Sequence, residues 1–296
     1  MQNEWLKYMN YIISKEVEYQ TKLFDYEKMA YTSCEMGISD RLYGKNEIIV
    51  SLTTYGKRIY DVPVVIESLF SQTIKANKII LWLAKDEFCE NNLPVSLKKM
   101  RNRGLIIEFC KDLKSYKKLI PALIAYPSAS IITVDDDVIY ARDFIERFVH
   151  AYLATPDVIL FGRGHRISFT EEGVLKPYDE WKPDISEEDI SHLNFPTGIG
   201  GILYPPQSLN AEVTNEQLFM RLAPSADDIW TKAMALLCGT PAKKIHIPVK
   251  FEEYCTIIRR SQDLSLYFIN IHQKGNDKQI AQVFNHYNLW NKIREL

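Results

Sequence analysis

Ser130-Ile-Ile-Thr-Val-Asp-Asp-Asp137 carries most of what this sequence says about its fold. Its apolar, β-branched half reads as a strand buried on both faces, and it runs without a turn into three carboxylates. Working back from it, three further runs have the same character: Leu105–Phe109, Lys78–Leu83 and Glu47–Thr53. Between them lie stretches of helical character, Val62–Phe70 with Asp61 as N-cap, Pro94–Asn102, and Lys117–Ala125 with Pro121 inside it. Strand and helix alternate, which predicts an α/β fold with a mostly parallel central sheet and helices on both faces. Ligands on such sheets bind beyond the carboxyl ends of the strands. Two segments sit at such ends: Thr53–Arg58 and Asp135–Asp137.

Forward of the triplet the alternation loosens. Helices are expected over Arg142–Leu153, from Ala226 to about Leu237, and over Asn276–Arg294, with strands at Val158–Phe161 and Lys244–Val249. Residues 171–189 are polar and irregular, and Pro196–Pro206 holds Gly198, Gly200 and Gly201. Residues 1–46 read as an N-terminal helical extension, in which Trp5, Met9, Ile12 and Ile13 share a face. Residues 47–296 read as one continuous fold, without an internal repeat or a linker.

Composition excludes several classes. The chain has 296 residues, 46% hydrophobic and 25% charged, which rules out a disordered chain and a coiled coil. The net charge is −2, so no broad electrostatic attraction to nucleic acid is expected. No apolar run is long enough to span a bilayer, and the N-terminus lacks a secretory pattern. The five cysteines are odd in number and none are spaced as CxxC, which suggests buried thiols in a reducing compartment. A cytoplasmic protein is expected, one that can rest on the inner face of the membrane.

Five groups of residues can carry chemistry. In an extended chain Asp135 and Asp137 point to one side and Asp136 to the other. Adjacent carboxylates repel, so either their pKa values rise or a cation joins them. Two oxygen ligands on one side suit Mg²⁺ or Mn²⁺, with phosphate completing the shell. Asp227 and Asp228 open a helix, where they serve as caps or as a general base. The glycines at 198, 200 and 201 let backbone approach a ligand. His272-Gln-Lys-Gly-Asn-Asp-Lys278 precedes a helix N-terminus, a place suited to phosphate, with Lys278 adding charge. Tyr55, Arg58 and Tyr116-Lys117-Lys118 follow strands and offer stacking and cationic groups. No GxGxxG and no P-loop is present.

Taken in order, these motifs resemble the GT-A glycosyltransferases, nucleotide-sugar-dependent enzymes with a DxD motif, over roughly residues 47–290. The resemblance rests on Ile48–Tyr55, Glu67–Gln72, Ile131–Asp137, Gly198–Gly201 and Ala226–Trp230, and is strongest to bacterial enzymes that build surface polysaccharide. It implies a nucleotide-sugar-binding half over 47–140 and an acceptor-binding half over 141–296. It implies that Thr53, Tyr55, Arg58, Lys117, Asp135, Asp136 and Lys278 hold the nucleotide sugar, UDP-linked by preference. Asp135, Asp137 and His272 would hold Mn²⁺ or Mg²⁺, and Asp228 or Asp227 would be the base of an inverting, hexosyltransferase-like reaction. The acceptor would be a glycan or a lipid-linked glycan. The chain departs from the family's common pattern in having Asp-Asp where many members have Glu-Asp, and in lacking a QxxRW motif. Two other readings are a phosphohydrolase of the HAD type, suggested by Asp135-Asp-Asp137-Val, and a non-catalytic carbohydrate-binding relative. Against the first, Ile139 occupies the Thr/Val position and three strands precede the motif.

Overall fold

The computed structural model describes residues 2–264 and 275–295. The chain opens with α1 (Gln2–Thr32), then alternates β1 (Ile48–Thr53), α2 (Val62–Phe70), β2 (Lys78–Ala84), α3 (Val95–Met100), β3 (Leu105–Cys110), α4 (Ile120–Ala125) and β4 (Ser130–Thr133). A two-residue strand, β5 (Val138–Ile139), leads to α5 (Phe144–Ala154), β6 (Ile159–Phe161) and β7 (Gly164–Arg166). Beyond an irregular stretch come β8 (Ile190–Ser191), β9 (Asn194–Pro196), β10 (Ile202–Tyr204), α6 (Glu216–Leu222), α7 (Asp227–Cys238) and β11 (Ala242–Lys244). The described chain closes with α8 (Phe251–Tyr254), β12 (Thr256–Ile257), α9 (Gly275–Tyr287) and α10 (Leu289–Glu295).

The fold is α/β, built on an eight-stranded sheet in the order β3-β2-β1-β4-β10-β6-β11-β8. Strands β1, β2, β3 and β4 are mutually parallel, and β6 pairs in parallel with β11. Only β10 and β8 run against them. Period-two alternation divides the core. Ile48, Val50 and Leu52 face a cluster that includes Val65 and Leu69 of α2, Phe144 and Phe148 of α5, and Tyr19, Leu23 and Ala30 of α1. Ile49, Ile80 and Ile131 face the opposite side, with Leu119 and Ala122. A third cluster joins α6, α7, α9 and α10 around the buried Trp230.

The chain leaves β1 toward β2 and β3 on one side, then returns to place β4 on the other. The strand order therefore reverses between β1 and β4, which opens a crevice at their carboxyl ends. The loops after these two strands hold Thr53–Arg58 and Asp135–Asp137.

Several expectations need correction. Lys117–Ala125 is not one helix: a 3₁₀ turn over Lys114–Lys118 comes first, and Pro121 falls in the first turn of α4, where its missing N–H costs nothing. The late strand ends at Lys244 rather than extending to Val249, because its partner β6 is only three residues long and Pro248 cannot donate to a ladder. The last helix breaks at Asn288, which adopts a left-handed φ of 51°. Asp61 occupies the N-cap position of α2 as expected, but its carboxylate makes no capping bond and instead receives Arg260 and Ser261. Cys34, Cys89 and Cys238 are exposed, and only Cys255 is buried. No described helix is long and apolar enough to cross a membrane.

Candidate active site at the β1–β4 crevice

Three elements aim the carboxylates. Strand pairing of β4 ends at Thr133, so the alternation that would turn Asp136 away from Asp137 no longer operates. The chain turns instead, and both carboxylates reach the same guanidinium. Arg58 Nη1 stands 2.7 Å from Asp136 Oδ1 and 3.2 Å from Asp137 Oδ2, with all three side chains nearly buried. Thr54 Oγ1 donates to Asp136 Oδ2 at 2.6 Å. The ribbon of β5 and β12 brings the Arg259–Leu264 turn alongside, and Gln262 Nε2 donates to Asp137 Oδ2 at 2.9 Å. Burial and the neighbouring Asp135 push the Asp137 carboxyl up to about 6.

Asp135 faces another cation. Lys118 Nζ lies 2.9 Å from Asp135 Oδ1 and 3.2 Å from Asp227 Oδ2. The lysine's own carbonyl accepts from Ser51 Oγ on β1 at 2.6 Å, which anchors its backbone beneath the crevice. Asp135 N–H donates to the buried Tyr140 hydroxyl at 2.9 Å. Burial opposes the charge of Lys118, but Asp135, Asp227 and Asp228 together hold its pKa well above the usual lysine value.

The second acidic motif opens α7, yet neither carboxylate caps it. Ala226 occupies the cap position, with no side-chain capping bond. Asp228 Oδ2 instead accepts from Gly198 N–H at 3.1 Å. Burial, together with Asp227 beside it, pushes the Asp228 carboxyl up to about 7. Gly198 is where the two motifs touch. A β-carbon there would lie 2.6 Å from Lys118 Nζ, 3.3 Å from Asp135 Oδ1 and 3.5 Å from Asp228 Oδ1. Gly201, three residues on, holds φ at 72° against Phe144.

The other residues expected here are more scattered. Thr53 Oγ1 donates to the Trp82 carbonyl at 2.8 Å, a bond within the sheet. Tyr55 is 37% exposed at the crevice rim, with the Arg58 guanidinium 5.4 Å from its ring centre. Lys117 turns away to pair with Asp112; its neighbour Lys118 enters the cluster instead. Lys278 is exposed in the first turn of α9, and no described contact brings it to the carboxylates. His272 lies outside the described residues. Sequence reading missed Thr54, Ser51 and Gln262, and passed over Lys118 in favour of Lys117. Only the spacing of Thr54 and Lys118 after their strands hinted at them.

A donor set for a divalent ion can be tested on these contacts. Five carboxylates, Asp135, Asp136, Asp137, Asp227 and Asp228, share two cations, Arg58 and Lys118. Negative charge is therefore in excess in a buried place, and three of the carboxyls, Asp136, Asp137 and Asp228, respond with raised pKa values. Among the described residues, no three His, Cys, Asp or Glu side chains converge tightly enough to hold a metal alone. The excess of carboxylate over cation is what suits a hard ion that uses one or two carboxylates and completes its shell with phosphate and water. Arg58 Nε is buried without a hydrogen-bond partner, a polar atom left over beside the cluster. Two hollows of about 340 Å³ each lie at the opposite, amino ends of the strands, beside Leu42 and Glu47. Neither adjoins the carboxylate cluster.

The solved structures to which the chain is similar include two with a bound nucleotide or nucleotide sugar. One is S. aureus TarS, residues 1–349, in complex with UDP, at TM-score 0.46 and 13% identity over 68% of this chain and 57% of that one. The other is the mannosyltransferase PcManGT from Pyrobaculum calidifontis, in complex with GDP-Man and Mn²⁺, at TM-score 0.41 and 12% identity over 82% of this chain and 69% of that one. The chain thus spans little more than half of the first. No family model and no curated protein matches it. Likenesses this remote carry no weight for the chemistry, which stands on the residues above.

Proposed function

We propose that this chain is a metal-dependent glycosyltransferase of the GT-A type. It moves a sugar from a nucleotide diphosphate sugar, UDP-linked by preference, to a hydroxyl of a glycan or glycolipid acceptor, with inversion, in the making of surface polysaccharide. The observation that supports this best is the convergence of Asp135, from the mouth of β4, with Asp227, from the start of α7, on the single ammonium of Lys118. Carboxylates suited to a metal and carboxylates suited to proton transfer thereby share one crevice, at the point where the strand order reverses.

Each residue has a role in this reading. Asp135 and Asp137 would hold the divalent ion, which when bound supplies positive charge against a departing diphosphate. Arg58 fixes the orientation of Asp136 and Asp137, and the exposed ring of Tyr55 offers a face to a base. Asp228 is the general base. Its pKa of about 7 matches a group that must be ionised to accept a proton and still hold it near neutral pH. The Gly198 N–H keeps one of its oxygens fixed and leaves the other to face the acceptor hydroxyl. Lys118 pairs with Asp227, so that two adjacent carboxylates need not compete for one proton.

The test is thermal stabilisation across UDP-, GDP- and other nucleotide sugars, with and without Mn²⁺. At least one donor should raise the melting temperature more strongly in Mn²⁺ than without it, and Asp137→Ala should lose the metal-dependent part. If no nucleotide stabilises the wild-type chain under any metal condition, the reading fails.

A further inference from the structure

We infer that Lys118 is a resident counter-ion that competes with the divalent cation for Asp135 and so sets how tightly the empty site takes metal. This rests on the transferase reading, since it supposes that Asp135 is a metal ligand.

Lys118 is placed as a cation would be. Its ammonium touches Asp135, one of the two proposed metal ligands, at 2.9 Å, and a second carboxylate, Asp227 of α7, at 3.2 Å. It sits close against position 198, which has no side chain: a β-carbon there would stand 2.6 Å from Nζ. The lysine's backbone is pinned by Ser51, and its ammonium is carried on a flexible four-carbon stem. A divalent ion that binds Asp135 meets a positive charge already seated on one of that residue's oxygens. The two cannot share the oxygen without repulsion, so the ammonium has to withdraw from Asp135. It keeps Asp227, its second partner, after that withdrawal. Metal arriving alone therefore binds weakly. Metal arriving with a diphosphate brings negative oxygens that offset the repulsion. Lys118 would make loading of the site depend on nucleotide and metal together, and it acts through Asp135, as a positioning residue.

The experiment is Mn²⁺ titration of the full chain, followed by electron paramagnetic resonance, without nucleotide and then with UDP, on wild type, Lys118→Gln and Lys118→Arg. Melting curves establish that each variant is folded. Without nucleotide, Lys118→Gln should bind Mn²⁺ at least tenfold more tightly than wild type, and Lys118→Arg, which keeps the charge, should stay near wild type. The gain from added UDP should shrink in Lys118→Gln. A lysine with a purely structural role would not raise metal affinity when removed. If wild type takes up Mn²⁺ with UDP but Lys118→Gln binds it no more tightly than wild type, this inference falls and the transferase reading stands. If none of the three proteins takes up Mn²⁺ even with UDP, both fall.

Discussion

Arg58 and Asp136 form the tightest charged contact of the crevice, 2.7 Å from Nη1 to Oδ1, and they tie the loop after β1 to the loop after β4. The same guanidinium reaches Asp137 at 3.2 Å. One arginine therefore closes the floor of the proposed site from one side, while Lys118 closes it from the other.

Removal of that arginine should be costly. Arg58→Ala leaves two buried carboxylates without their cation, and loss of one partner of a buried pair costs about 3–5 kcal/mol. Urea denaturation should show a loss of that order, together with loss of nucleotide binding. Arg58→Lys should restore only part of both, because an ammonium is more strongly hydrated than a guanidinium and costs more to bury between two carboxylates. A stable Arg58→Ala that binds nucleotide normally would contradict the assignment.

The two acidic residues of α7 should separate in kinetics. Asp228→Asn keeps an oxygen to accept from Gly198 N–H but cannot take a proton. It should lower kcat by about 10²–10⁴ while KM for the donor stays near wild type. Asp227→Asn loses its charge against Lys118 and should have a milder effect on turnover. A reversal of this order in steady-state assays would make Asp227 the base.

The sequence spoke clearly where one residue's neighbours along the chain decide its state. The β-branched runs of β1, β2 and β4 are buried on both faces, and α2 matches its expected span of Val62–Phe70. The triplet's position at a strand mouth was legible for the same reason. What stayed hidden depends on contacts between distant segments. Whether Lys117 or Lys118 enters the cluster depends on where a 3₁₀ turn gives way to α4, a difference of one residue that no periodicity resolves. Gln262 reaches Asp137 only because β12 pairs with β5. The antiparallel insertion of β10 between β4 and β6 was also invisible, since three residues between glycines and prolines carry almost no strand signal.

Gly198→Ala should test the crowding around Lys118 with little loss of fold. The added methyl meets the end of a flexible side chain, at 2.6 Å, and the ammonium can move aside. Stability should fall by no more than about 1 kcal/mol, while turnover drops because Lys118, Asp135 and Asp228 all border the new methyl. Gly201→Ala should do the opposite. There φ is 72° and Phe144 lies 2.5 Å from the added carbon, so stability falls by about 1–3 kcal/mol. Melting temperatures and initial rates for the pair would show whether the two glycines divide in this way.

The pH dependence of stability follows from Asp228. Its carboxyl rises from 3.8 in the unfolded chain to about 7 in the fold, so the folded protein holds a proton that the unfolded one has released over that interval. Stability then falls as pH rises, because the unfolded state binds fewer protons. The contribution is fully present below about 3.8 and is lost as pH passes through about 7. Asp137, raised to about 6, adds to the same slope. In metal-free buffer the melting temperature should decline from mildly acidic to mildly basic pH, by about 2–4 °C for each kcal/mol lost. Asp228→Asn cannot ionise and should flatten the upper part of that decline. Mn²⁺ with UDP should flatten it further, since positive charge then replaces the protons. A metal-free wild-type protein whose melting temperature does not fall over this range, or a variant with an unchanged slope, would show that Asp228 is ionised throughout and remove the basis for its role as the proton acceptor.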